Sequence, residues 1–98
     1  MKLVRIDIDG TFTVKEYKNK PTLKDFQDAV GGYIERVKVR YEGKDRDAFV
    51  DEEGIMKDLP INPTATEFYI GYFLSKTSTM LWATELAPLR GPMVIEVK

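Results

Sequence analysis

The chain has 98 residues, with 15 Lys+Arg against 16 Asp+Glu and a formal charge of −1, so its overall charge does not steer it toward nucleic acid or acidic lipid. A content of 43% hydrophobic and 32% charged residues predicts one folded domain, 1–98, instead of a disordered chain. With neither cysteine nor histidine, the sequence excludes thiolate nucleophiles, disulfides, nearly all zinc designs and the usual general base. That leaves carboxylate, Lys or Tyr chemistry, and points away from an enzyme and from any cofactor. Met1 to Asp9 alternates charged and apolar residues, unlike a secretory signal, and no run approaches the ~18 apolar residues of a membrane span. The expectation is a cytoplasmic protein without membrane contact.

The first predicted element is a strand over 2–9, turning Val4, Ile6 and Ile8 to a core and Leu3, Arg5, Asp7 and Asp9 to water. Asp9-Gly10 is a turn dipeptide that leads to a return strand over 11–18. A polar stretch ending in Pro21 precedes a helix over 22–30. Thr22 caps its start, Asp25 completes a capping box, and Gly31-Gly32 supplies a left-handed residue at its end. Leu23, Phe26, Ala29 and Val30 are its apolar side.

A strand over 33–41 places Tyr33, Val37, Val39 and Tyr41 on one face and Arg36, Lys38 and Arg40 on the other; a charged loop around Gly43 returns it as a strand over 46–51. Asn62-Pro63 marks the start of a helix over 63–74, because Asn caps and proline at the first helical position loses only an unbonded amide. Ala65, Phe68, Tyr69, Tyr72 and Phe73 follow the helical period and should pack on the sheet, although Gly71 costs about 1 kcal/mol relative to alanine. Met93, Ile95 and Val97 point inward from a last strand over 92–97. The predicted fold is α+β: a single, mainly antiparallel sheet of about five strands in the order ββαββαβ, with both helices on one face and the other face open to solvent. A last strand inserted parallel to its neighbour is the alternative.

Several of these segments, taken in order, carry a resemblance. Val30-Gly31-Gly32-Tyr33-Ile34-Glu35, then Val50-Asp51-Glu52-Glu53-Gly54, then Leu59-Pro60-Ile61-Asn62 with Ala65-Thr66, then Gly91-Pro92-Met93-Val94 resemble the family known as domain of unknown function 3846. The resemblance covers roughly residues 1 to 70 and the final strand. It implies a small protein of this fold in the setting of a virus or plasmid, and it implies no activity, cofactor or substrate.

The candidate sites are four. Asp51-Glu52-Glu53-Gly54 is an acidic run that reads either as oxygen ligands for a divalent cation or as a solvated turn in which Gly54 takes positive φ. Asp7 and Asp9, on one strand face and followed by Gly10-Thr11, match the spacing of the haloacid dehalogenase nucleophile motif, but 98 residues lack the doubly wound frame that motif requires. Arg36, Lys38 and Arg40, with Lys44 and Arg46 beyond them, form a basic stretch near Tyr33 and Tyr41 suited to phosphate and base contact. Across residues 33–46, five cations against three acids leave only +2. Met80, Leu81 and Trp82 form an apolar segment suited to a homodimer or other protein interface, with Trp82 as its anchor or else a core residue. The leading expectation is a non-enzymatic module acting by protein–protein contact; nucleic-acid binding through the Arg36/Lys38/Arg40 face comes second, and a metal-dependent phosphohydrolase using Asp7 and Asp9 third.

Overall fold

The computed structural model describes residues 1–76 and 87–98. Its elements are β1 (Lys2–Ile6), β2 (Phe12–Glu16), α1 (Leu23–Val30), β3 (Ile34–Tyr41), β4 (Lys44–Asp51), α2 (Pro63–Lys76) and β5 (Met93–Val97). The strands form one sheet in the order β2-β1-β5-β4-β3, and every neighbouring pair is antiparallel. This is the α+β class expected, and it resolves the last strand: β5 inserts antiparallel between β1 and β4.

The helices lie on opposite faces, not on one. Strand alternation sends Val4, Ile6, Ala48, Val50, Met93 and Ile95 to the face where Ala65, Phe68 and Tyr69 of α2 pack. It sends Leu3, Phe49 and Val94 to the other face, where Phe26 and Val30 of α1 pack, with the Phe26 and Phe49 rings 4.5 Å apart. The predicted wet face is therefore a second core. Its signal was the unbroken apolar run Met93-Val94-Ile95, since a strand covered on both sides is apolar on both. All three residues are fully buried in the central strand.

Local chemistry sets the turns. β1 ends at Ile6, so Ile8 sits in a turn and is 42% exposed, not turned to the core as the alternation predicted. In that turn Gly10, at φ 86, donates its N–H to the Asp7 carbonyl at 2.9 Å. Glu42 (φ 53) and Gly43 (φ 74) make a two-residue mirror-type turn, which starts β4 at Lys44, earlier than the strand predicted over 46–51. The Thr22 hydroxyl accepts the Asp25 N–H at 3.2 Å while the Asp25 carboxylate accepts the Thr22 N–H at 2.8 Å, which completes the expected capping box, and α1 stops at Gly31 with φ 94.

Asn62 seats α2. Its carbonyl oxygen accepts the Ala65 N–H at 3.0 Å, and its amide donates to the carbonyls of Ile6 at 3.0 Å and Gly91 at 2.9 Å. The side chain is fully buried, so one neutral amide joins the end of β1, the start of α2 and the approach to β5.

Candidate functional site

One end of the sheet gathers three of the sequence segments singled out above. α1 leaves through Gly31 into Gly32, where a Cβ would stand 2.7 Å from Lys57 Nζ and 2.9 Å from Asp51 Oδ2. Gly32 thus contributes space, beside the left-handed conformation of Gly31. Tyr33 accepts the Glu52 N–H at 2.9 Å, and Ile34 pairs with Asp51 across β3 and β4. The Asp51 side chain, 2% exposed, accepts hydrogen bonds from Lys57 Nζ and the Glu53 N–H, both at 2.8 Å. Burial opposes its charge, but the hydrogen bond from Lys57, that from Glu53 N–H and the Lys57 charge outweigh burial and hold the carboxyl below the usual carboxylate range. The Asp51 hydrogen bond in turn raises Lys57 above the ordinary lysine value.

The turn that follows is pinned along its length. Lys57 N–H donates to Glu53 at 2.8 Å, Asp58 N–H to Ile55 at 3.0 Å and Leu59 N–H to Gly54 at 2.9 Å. Gly54 does not take positive φ as expected; Asp58 does, at 52°. Gly54 is needed for room, since a Cβ there would meet Arg90 Cβ at 3.3 Å and the Asp51 carbonyl at 3.4 Å. The acidic run is accordingly a structural turn in which Asp51 already has a cation partner. Among the residues this frame presents to solvent are three large apolar ones: Ile55 is 75% exposed, Met56 83% and Tyr33 65%. Glu52 and Asp58, which flank Ile55 and Met56 in sequence, are exposed as well.

Depressions flank the turn. One, about 170 Å³, is lined by Glu35, Tyr69, Asp51, Ile55 and Arg90, and is smaller than the roughly 300–1,000 Å³ typical of small-molecule sites. Burial and the nearby Glu35 carboxylate raise the Tyr69 hydroxyl above its ordinary range. The other is more open and lined by Tyr33, Glu53, Lys57, Gln27 and Gly32.

The basic residues separate. Arg36, Lys38 and Arg40 share one face of β3, as expected, but the hairpin sets them opposite Phe49, Asp47 and Asp45. Arg40 bonds Asp45 at 3.0 Å, and Lys38 pairs with Asp47. Lys76 of α2 reaches Asp45 at 2.6 Å. The hydrogen bond from Lys38 keeps Asp47 below the usual carboxylate range, and that from Lys76, ahead of the one from Arg40, does the same for Asp45. By register Lys44 and Arg46 fall on the opposite face, where Arg46 lies 5.9 Å from the Tyr41 ring centre and donates to the Tyr41 carbonyl. The five do not form one patch.

Asp7 and Asp9 do not share a strand face, because β1 ends before them. Asp7 accepts from Arg5 Nε at 2.9 Å and Asp9 from the Thr11 N–H at 2.9 Å, so both carboxylates are spent on the turn. Among the described residues no group of three acidic, His or Cys side chains is placed to hold a metal ion. Met80, Leu81 and Trp82 lie outside the described residues. In sequence Tyr33 joins the basic stretch, and Ile55 and Met56 join no site; an apolar pair directly after an acidic, glycine-containing turn is the available signal.

A family model described as domain of unknown function (DUF3846) matches residues 1–78. The chain belongs to the DUF3846 family. The DUF3846 match takes in the Gly31-Gly32, Asp51–Gly54 and Leu59–Asn62 segments and stops short of β5. Those DUF3846 segments meet at Asp51 and Asn62, so their side chains largely build the fold. No curated protein and no solved structure matches the chain. No helix among the described residues of this DUF3846 domain is long and apolar enough to cross a membrane.

Proposed function

We propose that this domain is a non-enzymatic module acting by protein–protein contact through the end of the sheet that carries Tyr33, Ile55 and Met56. The observation behind this reading is the exposure of Ile55 and Met56 on a turn whose backbone is fixed by its own hydrogen bonds. Scattered exposed apolar residues are ordinary, but two in succession on a preorganised turn meet a partner with little ordering cost. Methionine adapts its shape to an apolar groove. Since exposed Glu52 and Asp58 flank the pair in sequence while Lys57 is engaged by Asp51, the complementary partner is a protein with an apolar groove and a basic rim. In the virus or plasmid setting that the family resemblance implies, that partner is a host protein.

The nucleic-acid reading has less support, because Lys38 and Arg40 are paired with aspartates and the other cations lie on a different face or alone. Parallel affinity capture from host lysate separates the two. Ile55→Asp with Met56→Asp should lose the captured protein while melting like the wild type, and Arg36→Glu with Lys38→Glu and Arg40→Glu should keep it. A protein captured equally by the Ile55/Met56 variant would refute the reading. A low-salt gel shift abolished by the triple variant would transfer the function to nucleic acid.

A further inference from the structure

The sheet ends in two edge strands: β3, against which α2 packs, and β2, against which neither helix chiefly packs. All five residues of β2 are exposed, and among the described residues no strand pairs with its outer side. α1 and α2 pack over the opposite part of the sheet, chiefly on β3, β4 and β5, and leave this edge open in its plane. Asp7 N–H donates to Thr11 and Tyr17 N–H to Met1, both at 2.9 Å, so odd-numbered residues of β2 direct their backbone toward β1. Phe12, Val14 and Glu16 therefore direct their N–H and C=O groups outward. The edge is also apolar: Val14 is 57% exposed, and Phe12, 45% exposed, lies edge-on to Phe68 at 6.2 Å.

We propose that β2 pairs antiparallel with β2 of a second copy of this chain about a two-fold axis at Thr13, joining two sheets into one of ten strands. The register follows from which residues it sets face to face. Centring on Lys15 would oppose two ammonium groups, and centring on Val14 would set them diagonally at about 7–8 Å while placing Phe12 against Glu16. Centring on Thr13 sets Phe12 against Val14 twice and Thr13 against Thr13, both favourable cross-strand pairs. It also sets Lys15 of each copy opposite Thr11 of the other, beside the Asp9 carboxylate that already accepts the Thr11 N–H. The charges at the two ends are thus complementary, and the outward backbone groups of Phe12 and Val14 bond each other. This inference stands apart from the Tyr33/Ile55/Met56 surface and from Trp82.

The chain has no cysteine, so a single introduced thiol reports a single contact. A non-hydrogen-bonded antiparallel pair brings its Cα atoms to about 4.5 Å, within disulfide reach. Thr13→Cys should therefore oxidise to a homodimer at least about tenfold faster than Lys24→Cys, whose side chain is 81% exposed on α1. In sedimentation over a concentration series the wild type should dimerise, Val14→Lys should stay monomeric with unchanged melting, and the Ile55/Met56 double variant should dimerise like the wild type. Equal oxidation at the two sites, a wild type monomeric at every concentration, or a dimer indifferent to Val14→Lys overturns the proposal. So does a monomer whose Thr13→Cys form cross-links to a foreign peptide, which would give the edge another occupant.

Discussion

The two helices are held on the sheet by opposite means. α1 carries both of its ends in local sequence, a capping box at Thr22 and Asp25 and a left-handed glycine at position 31, and it docks through Phe26 and Val30. α2 is apolar nearly all round, and every residue from Phe68 to Leu74 is half-buried. Its start is fixed by Asn62, whose amide partners Ile6 and Gly91 lie 56 and 29 residues away. A short amphipathic helix with complete caps thus finds its seat with two side chains. A helix with no single apolar face needs a polar anchor from elsewhere in the chain to choose its seat.

The largest test of that contrast removes each anchor in turn. Asn62→Ala loses the cap on the Ala65 N–H and removes the side-chain donor to the Ile6 and Gly91 carbonyls, a cost of about 3–5 kcal/mol. Thr22→Ala loses only a cap exposed to water, about 1 kcal/mol. Chemical denaturation of the two variants should show that gap, and Asn62→Asp should not rescue the first, because a carboxylate keeps the acceptor but has no donor for the two carbonyls. Equal losses at Asn62 and Thr22 would mean that α2 is seated by its apolar surface alone.

Asp51 stands where the routes to the two helices meet, between Gly32 at the exit of α1 and Lys57 in the turn that leads to α2. Its carboxyl is held below the usual range, so its contribution is fully present above the unfolded-state value of about 3.9 and is lost as pH falls through the lower folded value. Asp51→Asn should cost about 1–2 kcal/mol at neutral pH, through loss of the charged bond to Lys57. Below about pH 4 its deficit against the wild type should shrink. A deficit constant from pH 7 to pH 2 would show that the charge of Asp51 contributes nothing to this junction.

The same contrast explains what was legible in the sequence. The capping bonds of Thr22, Asp25 and Gly31, and the one Asn62 accepts from the Ala65 N–H, act within four positions, so the helix starts and the end of α1 could be read directly, whereas the two bonds Asn62 donates could not. The side of the sheet taken by α1 could not, because Leu3 alternates in phase with Arg5 and Asp7 and becomes interior only when Phe26, Val30 and Val94 arrive from elsewhere in the chain. The space required at Gly32 and Gly54 is likewise set by Lys57, Asp51 and Arg90, none of which adjoins them in sequence. The candidate site was hidden for the same reason: exposure of Ile55 and Met56 depends on a turn whose hydrogen bonds the sequence does not announce.

The smallest expected effect sharpens the comparison from the side of α2. Gly71 lies in the helix interior with ordinary helical backbone, and an added Cβ there would meet only Arg40 Cβ, at 3.9 Å, an ordinary van der Waals distance. Alanine fits without strain and removes conformational freedom from the unfolded chain, so Gly71→Ala should stabilise the protein by about 0.5–1 kcal/mol. At this chain length that is a rise of about 4–8 °C per kcal/mol in melting temperature. The gain should persist at high salt, because no ion pair is involved, and it should be unchanged in the Thr22→Ala background, since the two helices lie on opposite faces. A loss of stability would mean that α2 must approach the edge of β3 more closely at Gly71 than 3.9 Å, so that glycine is required there for space.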